Sequence, residues 1–459
     1  MFLKNLISLI LISYIFTSFS CGGWFESAYM IYDNSFGSNI KAYYKLHSSS
    51  NWITVDSELV RSERTDIPGL KASASYDLKI QGNAGSSTCT ITTKQYNRDG
   101  YAHWKYGNGV GAYNNDGTLK SGAKIVYVTN ANKNSVTYGG YTGLYNIFYK
   151  SKPKNVVFRL IGAINVPNGV VANDGKSNDG SNMLYLQYAQ DVTIEGIGRD
   201  CNLNRWGMEI KRSTSVEVRN LHLAKYPDDA ISMTGDSSQK SKYIWIHNNN
   251  ILKGYNQYAG NGVVDSDKAE GDGSTDVKWS EYVTISYNKY ENCHKTSLVG
   301  ANANHMQDWI TYHHNWFSST ESRNPRVRNA HVHSYNNYFY KNSQYGIGAS
   351  HNSKVFSENN YFEQSNLPLD AVNMGSDKYS GTIKSYGDKF VSCKMGNNLA
   401  YSIASNRESK VSVNNLKSGG DSYDNFDIDY NKIYYGRYKV STPDNAKNEI
   451  KNYAGRMKV

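Results

Sequence analysis

Short β-branched or aromatic runs, most of them closing on asparagine, recur along this chain as a loose repeat and narrow what it can fold into. Val216-Glu217-Val218-Arg219-Asn220, Ile244-Trp245-Ile246-His247-Asn248, Val283-Thr284-Ile285-Ser286-Tyr287-Asn288, Ile310-Thr311-Tyr312-His313-His314-Asn315, Val332-His333-Ser334-Tyr335-Asn336 and Val355-Phe356-Ser357-Glu358-Asn359 follow one another at about 21 to 28 residues, with one longer gap of about 40 before Asn288. That period is typical of solenoid coils, each of which buries its apolar face only by stacking on the next. Strands this short predict an all-β chain built around a right-handed parallel β-helix with a continuous apolar column inside. Asparagine suits the turns because it tolerates left-handed dihedrals and can hydrogen-bond the equivalent asparagine one coil away. The extra residues before Asn288 predict a loop outside the coil that carries Asp265, Asp267, Asp272 and Asp276.

The repeat begins only after about residue 96, so the β-helix is expected over 96–459. Residues 22–94 instead alternate polar and apolar positions with turn signals at short intervals, as in Tyr76-Asp77-Leu78-Lys79-Ile80. Such alternation predicts short antiparallel strands and a small β-sandwich; an early layer of the main domain is the other reading. Ile67-Pro68-Gly69-Leu70 followed by Tyr76 resembles the loop and tyrosine corner of a fibronectin type III domain, which would make Trp52 a core residue. Residues 1–20 read as a secretory signal peptide: Lys4 precedes the apolar stretch Leu6 to Phe16, too short for a comfortable span, and small residues lead to a cut near Cys21. The expectation is an exported monomer with no membrane segment. Loss of Cys21 at the cut would leave Cys89, Cys201, Cys293 and Cys393, without a Cys-x-x-Cys pair, so at most two disulfides and no zinc site. Pro443 to Ile450, with Thr442 as N-cap, predicts a terminal helix covering a coil end.

A formal net charge of +10 points to an acidic partner. No basic block and no aromatic and basic RNA-binding signature occurs, so nucleic acid is not expected. Chemistry concentrates in two acidic segments, Asp228-Asp229 and Asp272-Gly273-Ser274-Thr275-Asp276, then Lys295, then Arg323-Asn324-Pro325-Arg326-Val327-Arg328. Stacked coils would bring Asp229 beside Asp272 and Asp276, and three carboxylates facing solvent make a plausible Ca²⁺ site of hard oxygens. A single Asp in a Gly-rich turn ordinarily caps the turn, and Lys295 alone reads as a solvated lysine. The three arginines around Pro325 repel one another unless an anion compensates, and guanidinium pairs suit planar carboxylates.

The stretch from about Val192 to Phe362 resembles family 1 polysaccharide lyases, the pectate lyase family. The resemblance rests on Asp272-Gly273 and Asp276-Val277 with Val283 to Asn288 downstream, on His294 to Gly300, on Ile310 to Asn315, and on Arg-x-Pro-x-x-Arg at Arg323, Pro325 and Arg328. It implies calcium-dependent β-elimination on α-1,4-linked galacturonan, the backbone of pectin. It further implies Asp229, Asp272 and Asp276 as calcium ligands, Lys295 and Arg328 as contacts to the substrate carboxylate, and Arg323 as the base. Two departures stand out: Trp245-Ile246-His247-Asn248 replaces the family's Trp-Ile-Asp-His, and Pro227 aligns with a further calcium acid, implying modest affinity. A guanidinium base is unusual, its ordinary pKa lying above roughly 12.5. Ca²⁺, Lys295 and Arg328 nearby would push it down. Three other readings compete. A polygalacturonase would need Gly-His-Gly and Arg-Ile-Lys motifs that this chain lacks, a pectin lyase would lack the acids, and a wall-binding protein would not need Arg323.

Overall fold

The computed structural model describes residues 19–168, 183–260, 262, 264–300, 307–371, 377–396, 401–413, 419–434 and 438–459, so residues 1–18 of the expected signal peptide lie outside the described residues. The chain divides into two units, Met1–Tyr96 and Asn97–Val459.

In the larger unit each coil contributes one strand to each of three parallel sheets. The first sheet runs through Met183–Gln187, Gly207–Lys211, Asp229–Thr234, Gly273–Val277, Leu298–Val299, Arg326–Arg328, Ile347–Ser350 and Leu369–Ala371. The second includes Thr214–Arg219, Ser241–His247, Ser280–Ser286, Gln307–His313, Ala330–Tyr335 and Lys354–Glu358, and the third the short strands His222–Ala224, Asn250–Leu252, Lys289–Glu291, Trp316–Ser318, Tyr338–Tyr340 and Tyr361–Glu363. Parallel register stacks like on like: Val216, Ile244, Val283, Ile310, Val332, Val355 and Ile383 form one buried aliphatic column. Tyr290, Phe317, Phe339, Phe362 and Phe390 form an aromatic stack with centroids 4.3–5.2 Å apart. This is the parallel β-helix that the repeat predicts.

The asparagines divide between two jobs. The interior ladder is Asn249, Asn288, Asn315, Asn337 and Asn360, each Nδ2 donating to the next Oδ1 at 3.0–3.2 Å and the last to Asp388 Oδ1 at 3.1 Å. Asn220, Asn248, Asn336 and Asn359 stand one residue earlier, in the left-handed region, where Tyr287 and His314 also occur. Their side chains face outward and hold the C-terminal segment: Asn336 and Asn359 donate to Ser441 O, Asn248 donates to Tyr453 O, and Asn220 accepts from Met457 N. Four of the six asparagines singled out by the repeat are therefore turn formers and not ladder members.

The terminal helix, Pro443–Tyr453, starts at Thr442, whose Oγ1 accepts from Asn445 N. It packs Ile450 and Ala454 on Tyr338 and Tyr361, which is a lateral face and not the coil end expected for it. A seven-residue helix, Leu144–Lys150, buries Leu144, Ile147 and Phe148 against the early coils, Phe148 meeting Phe158 edge-on.

The N-terminal unit holds two antiparallel sheets. One orders Phe19–Trp24, Ser27–Tyr32 and Arg64–Pro68; the other orders Ile53–Thr54, Lys41–Leu46, Ser75–Gln81 and Ser86–Thr92. Ala28, Met30 and Tyr32, and again Tyr76, Leu78 and Ile80, alternate inward as a period of two requires. Tyr76 Oη accepts from Lys71 N at 3.0 Å. Two expectations are corrected. Cys21 belongs to the fold, disulfide-bonded to Cys89, so a cut that removed it would also remove the cross-link. Trp52 is 40% exposed, because it leads into a two-residue strand whose side chains face solvent, while Trp24 is buried in its stead.

Candidate active site

All six candidate residues lie on first-sheet strands or on the turns that feed them from the third sheet. Asp229 opens the strand Asp229–Thr234, and Asp276 lies in Gly273–Val277 on the next coil, inside a strand and not in the loop expected for it. Asp272 ends the excursion that leaves the coil after Leu252, its N–H donating to Asp228 O at 2.8 Å. Gly273 makes the acid pair possible: a Cβ there would stand 2.5 Å from Asp276 Oδ1.

The acids are interleaved with lysines that sequence reasoning did not assign. Lys278 Nζ lies 3.1 Å from both Asp229 Oδ2 and Asp276 Oδ2. Lys268 Nζ bridges Asp228 at 2.8 Å and Asp272 at 3.1 Å. Lys295 meets Asp267 and, at 3.3 Å, Asp272. Burial alone would raise the Asp272 carboxyl, but Lys268 and Lys295 bring it down to about 2. Asp229 goes the other way: burial lifts it well above the usual carboxylate range against the pull of Lys278, and Asp276, Asp228 and Asp272 add to the rise.

Among the described residues no three carboxylate, imidazole or thiolate groups converge closely enough to enclose a metal. Lys268 and Lys278 each bridge two of these acids instead. The donor chemistry nonetheless suits a hard cation: Asp229 Oδ1 is buried without a hydrogen-bond partner, and Asp276, Asp228 and Asp272 are near enough for their charge to raise its carboxyl.

Beside the acids lies a cavity of about 270 Å³ lined by Asp267, His294, Lys295, Arg323, Arg326 and Tyr345, among others. Arg323 adopts φ 59° in the turn that precedes Arg326–Arg328. Lys295 and Ser322 pair across adjacent coils, which sets Lys295 and Arg323 side by side at one wall. Arg328 is not at that wall. Its guanidinium and that of Arg326 clasp the buried Asp377 carboxylate at 2.6 and 2.7 Å. His294, held by Glu321, lines the cavity and carried no sequence signal beyond its place before Lys295. Asp377 was hidden and Asp267 was expected only as one acid of the loop outside the coil, since coil stacking alone brings them to the basic residues.

A family model described as pectate lyase matches residues 92–459. Among curated proteins, the chain is 32% identical to a pectate trisaccharide-lyase of Bacillus licheniformis over 207 residues, covering 44% of this chain and 56% of that protein. It is 28% identical to pectate lyase C of Dickeya chrysanthemi over 246 residues, 52% of this chain and 61% of that one. The chain thus spans little more than half the length of these relatives. Among solved structures, a pectate lyase from Bacillus sp. N165 in complex with trigalacturonate superposes with a TM-score of 0.54 at 23% identity, covering 78% of this chain and 99% of that one, a likeness of fold. With a family match running through the whole β-helix, this chain belongs to the pectate lyase family.

Proposed function

We propose that the chain is a secreted, calcium-dependent pectate lyase that cleaves de-esterified α-1,4-polygalacturonate by β-elimination. The observation that carries this reading is the pairing of Lys295 and Arg323 on one cavity wall next to an acid cluster with an unsatisfied carboxylate oxygen. Lys295 binds the uronate carboxylate at the cleavage site, and Arg323 removes the proton from the adjacent ring carbon, C5. The freed electron pair forms the C4–C5 double bond, the C4–O bond breaks, and the glycosidic oxygen leaves and takes a proton from solvent. Held by Asp229, Asp272 and Asp276, Ca²⁺ would neutralise the carboxylate and so stabilise the charge that develops on proton removal. Arg328 contacts substrate only where Asp377 yields its place. The products are 4,5-unsaturated oligogalacturonides from plant cell-wall pectin.

Export to an oxidising compartment is supported by the leader-like residues 1–20 and by the Cys21–Cys89 bond. The two antiparallel sheets and the Tyr76 to Lys71 contact support a fibronectin type III-like sandwich for the N-terminal unit. We read the protein as a monomer.

The test is ultraviolet absorbance over time on de-esterified polygalacturonate. We expect absorbance that grows with Ca²⁺, stops with chelator, rises with alkaline pH because a guanidinium must lose its proton to act, and falls by about 10²–10⁴ in Arg323→Ala. New reducing ends without absorbance would mean hydrolysis and overturn the reading.

A further inference from the structure

A second, larger cavity of about 950 Å³ opens on the turns of earlier coils and shares no lining residue with the first. Its floor is a column of cations. Arg205 follows the strand Gln190–Asn204, whose last three residues pair with His222–Ala224, and Lys225 and Lys253 follow the third-sheet strands of the next two coils, Arg205 N–H donating to Ala224 O and Lys225 N–H to Lys253 O, both at 3.0 Å. Adjacent parallel strands lie about 4.8 Å apart, so the three charges form a rising row. Arg205 and Lys225 adopt φ 70° and 55°, and all three side chains are exposed. The same position on the next two coils is Asn292 and then Ser319, so the row of charge stops where the cavity stops.

Like charges stacked this closely are unfavourable unless an anion joins them. Glu270 answers Lys253 at 2.8 Å, and Gln257 Oε1 accepts from Arg205 at 3.4 Å. The other acid of the lining, Glu291, is held by Lys289 at 2.8 Å. Lys225 has no side-chain partner among the described residues. Tyr255, 51% exposed, presents a ring to the same space, the kind of apolar face that receives a sugar. Over residues 19–96 the N-terminal unit carries seven basic and seven acidic residues, so the net positive excess belongs to the β-helix.

We propose that this cavity is a second, non-catalytic site for a short uronate chain, whose carboxylates bridge Arg205, Lys225 and Lys253 while one sugar ring lies on Tyr255. The choice of ligand rests on the polygalacturonate reading; the row of cations does not. Four consecutive residues before Gly273 divide between the two sites: Asp267 lines the first cavity, Lys268 meets Asp228 and Asp272, and Ala269 and Glu270 line the second cavity. A chain held there would tether the polymer to the enzyme apart from the bond being cleaved.

Calorimetric titration of the full chain with trigalacturonate, in chelator so that no cleavage occurs, tests this. We expect a binding event that Lys225→Glu weakens by about ten-fold, the loss of one charge-assisted contact, and that neutral galactotriose does not reproduce. Equal binding by wild type and Lys225→Glu, or equal binding of galactotriose, overturns the proposal. The absorbance assay separates the two readings. Absorbance growth with unaltered binding in Lys225→Glu sinks the second site alone, whereas cation-dependent binding without absorbance sinks the lyase alone.

Discussion

Gly273 shows how one missing methyl group shapes the acid cluster. Its absent Cβ leaves room for the Asp276 carboxylate, which also accepts from Leu298 N at 3.0 Å. Gly273→Ala should push Asp276 aside and weaken calcium binding by about 10- to 100-fold, as displacement of a supporting group around a metal does. Thermal unfolding with and without Ca²⁺ checks it: the calcium-dependent rise in Tm should shrink while the calcium-free Tm stays within a few degrees, and an unchanged rise would refute the assignment. Arg323, Lys295, Asp272 and Asp276 could be singled out in advance because they stand in short segments that resemble a family's motifs, and Asp229 because stacked coils would set it beside the other acids. Lys278, two residues beyond Asp276, could not: an isolated lysine after a strand looks solvated until the neighbouring coil sets Asp229 against it.

At the scale of the element, the asparagine ladder replaces a side-chain core at one corner of every coil. Asn315 accepts from Asn288 N and Nδ2 and donates to Ile285 O and Asn337, all buried. Asn315→Leu leaves those donors without partners and should cost about 3 kcal/mol in denaturant unfolding; a loss below about 1 kcal/mol would mean that the ladder is dispensable. Asp388 ends the ladder as an acceptor from Asn360, Ser357 and Ser385, and burial raises its carboxyl to about 6 from an ordinary 3.8. A raised folded-state pKa contributes stability below about pH 4 that disappears as pH rises through 6. Asp388→Asn should therefore be more stable than wild type above pH 6, by roughly 1–2 kcal/mol, and lose that advantage below pH 4. Chemical unfolding at both pH values decides it. The repeat betrayed the coils but not which asparagine does what, since the left-handed residue and the ladder residue are adjacent and often both asparagine.

At the scale of the whole molecule, the disulfide belongs to one unit and the chemistry to the other. Cys21–Cys89 spans 68 residues, a closure worth about 4 kcal/mol to the N-terminal unit on chain-entropy grounds. Reduction should lower the unfolding transition of that unit and leave the β-helix transition and the turnover of polygalacturonate unchanged, which calorimetry and the absorbance assay read in parallel; loss of turnover on reduction would contradict the division. The β-helix was legible in the chain alone, because stacking demands the same residue type at each coil and so writes its period into the sequence, whereas Arg323, Lys295 and the acids stood out only through short segments that resemble a family's motifs. Coil stacking set what the chain did not spell out: Lys278 between Asp229 and Asp276, Arg328 on Asp377, and the cation row of Arg205, Lys225 and Lys253. Those contacts join residues on different coils, and separation along a stacked chain does not reveal which side chains meet across it.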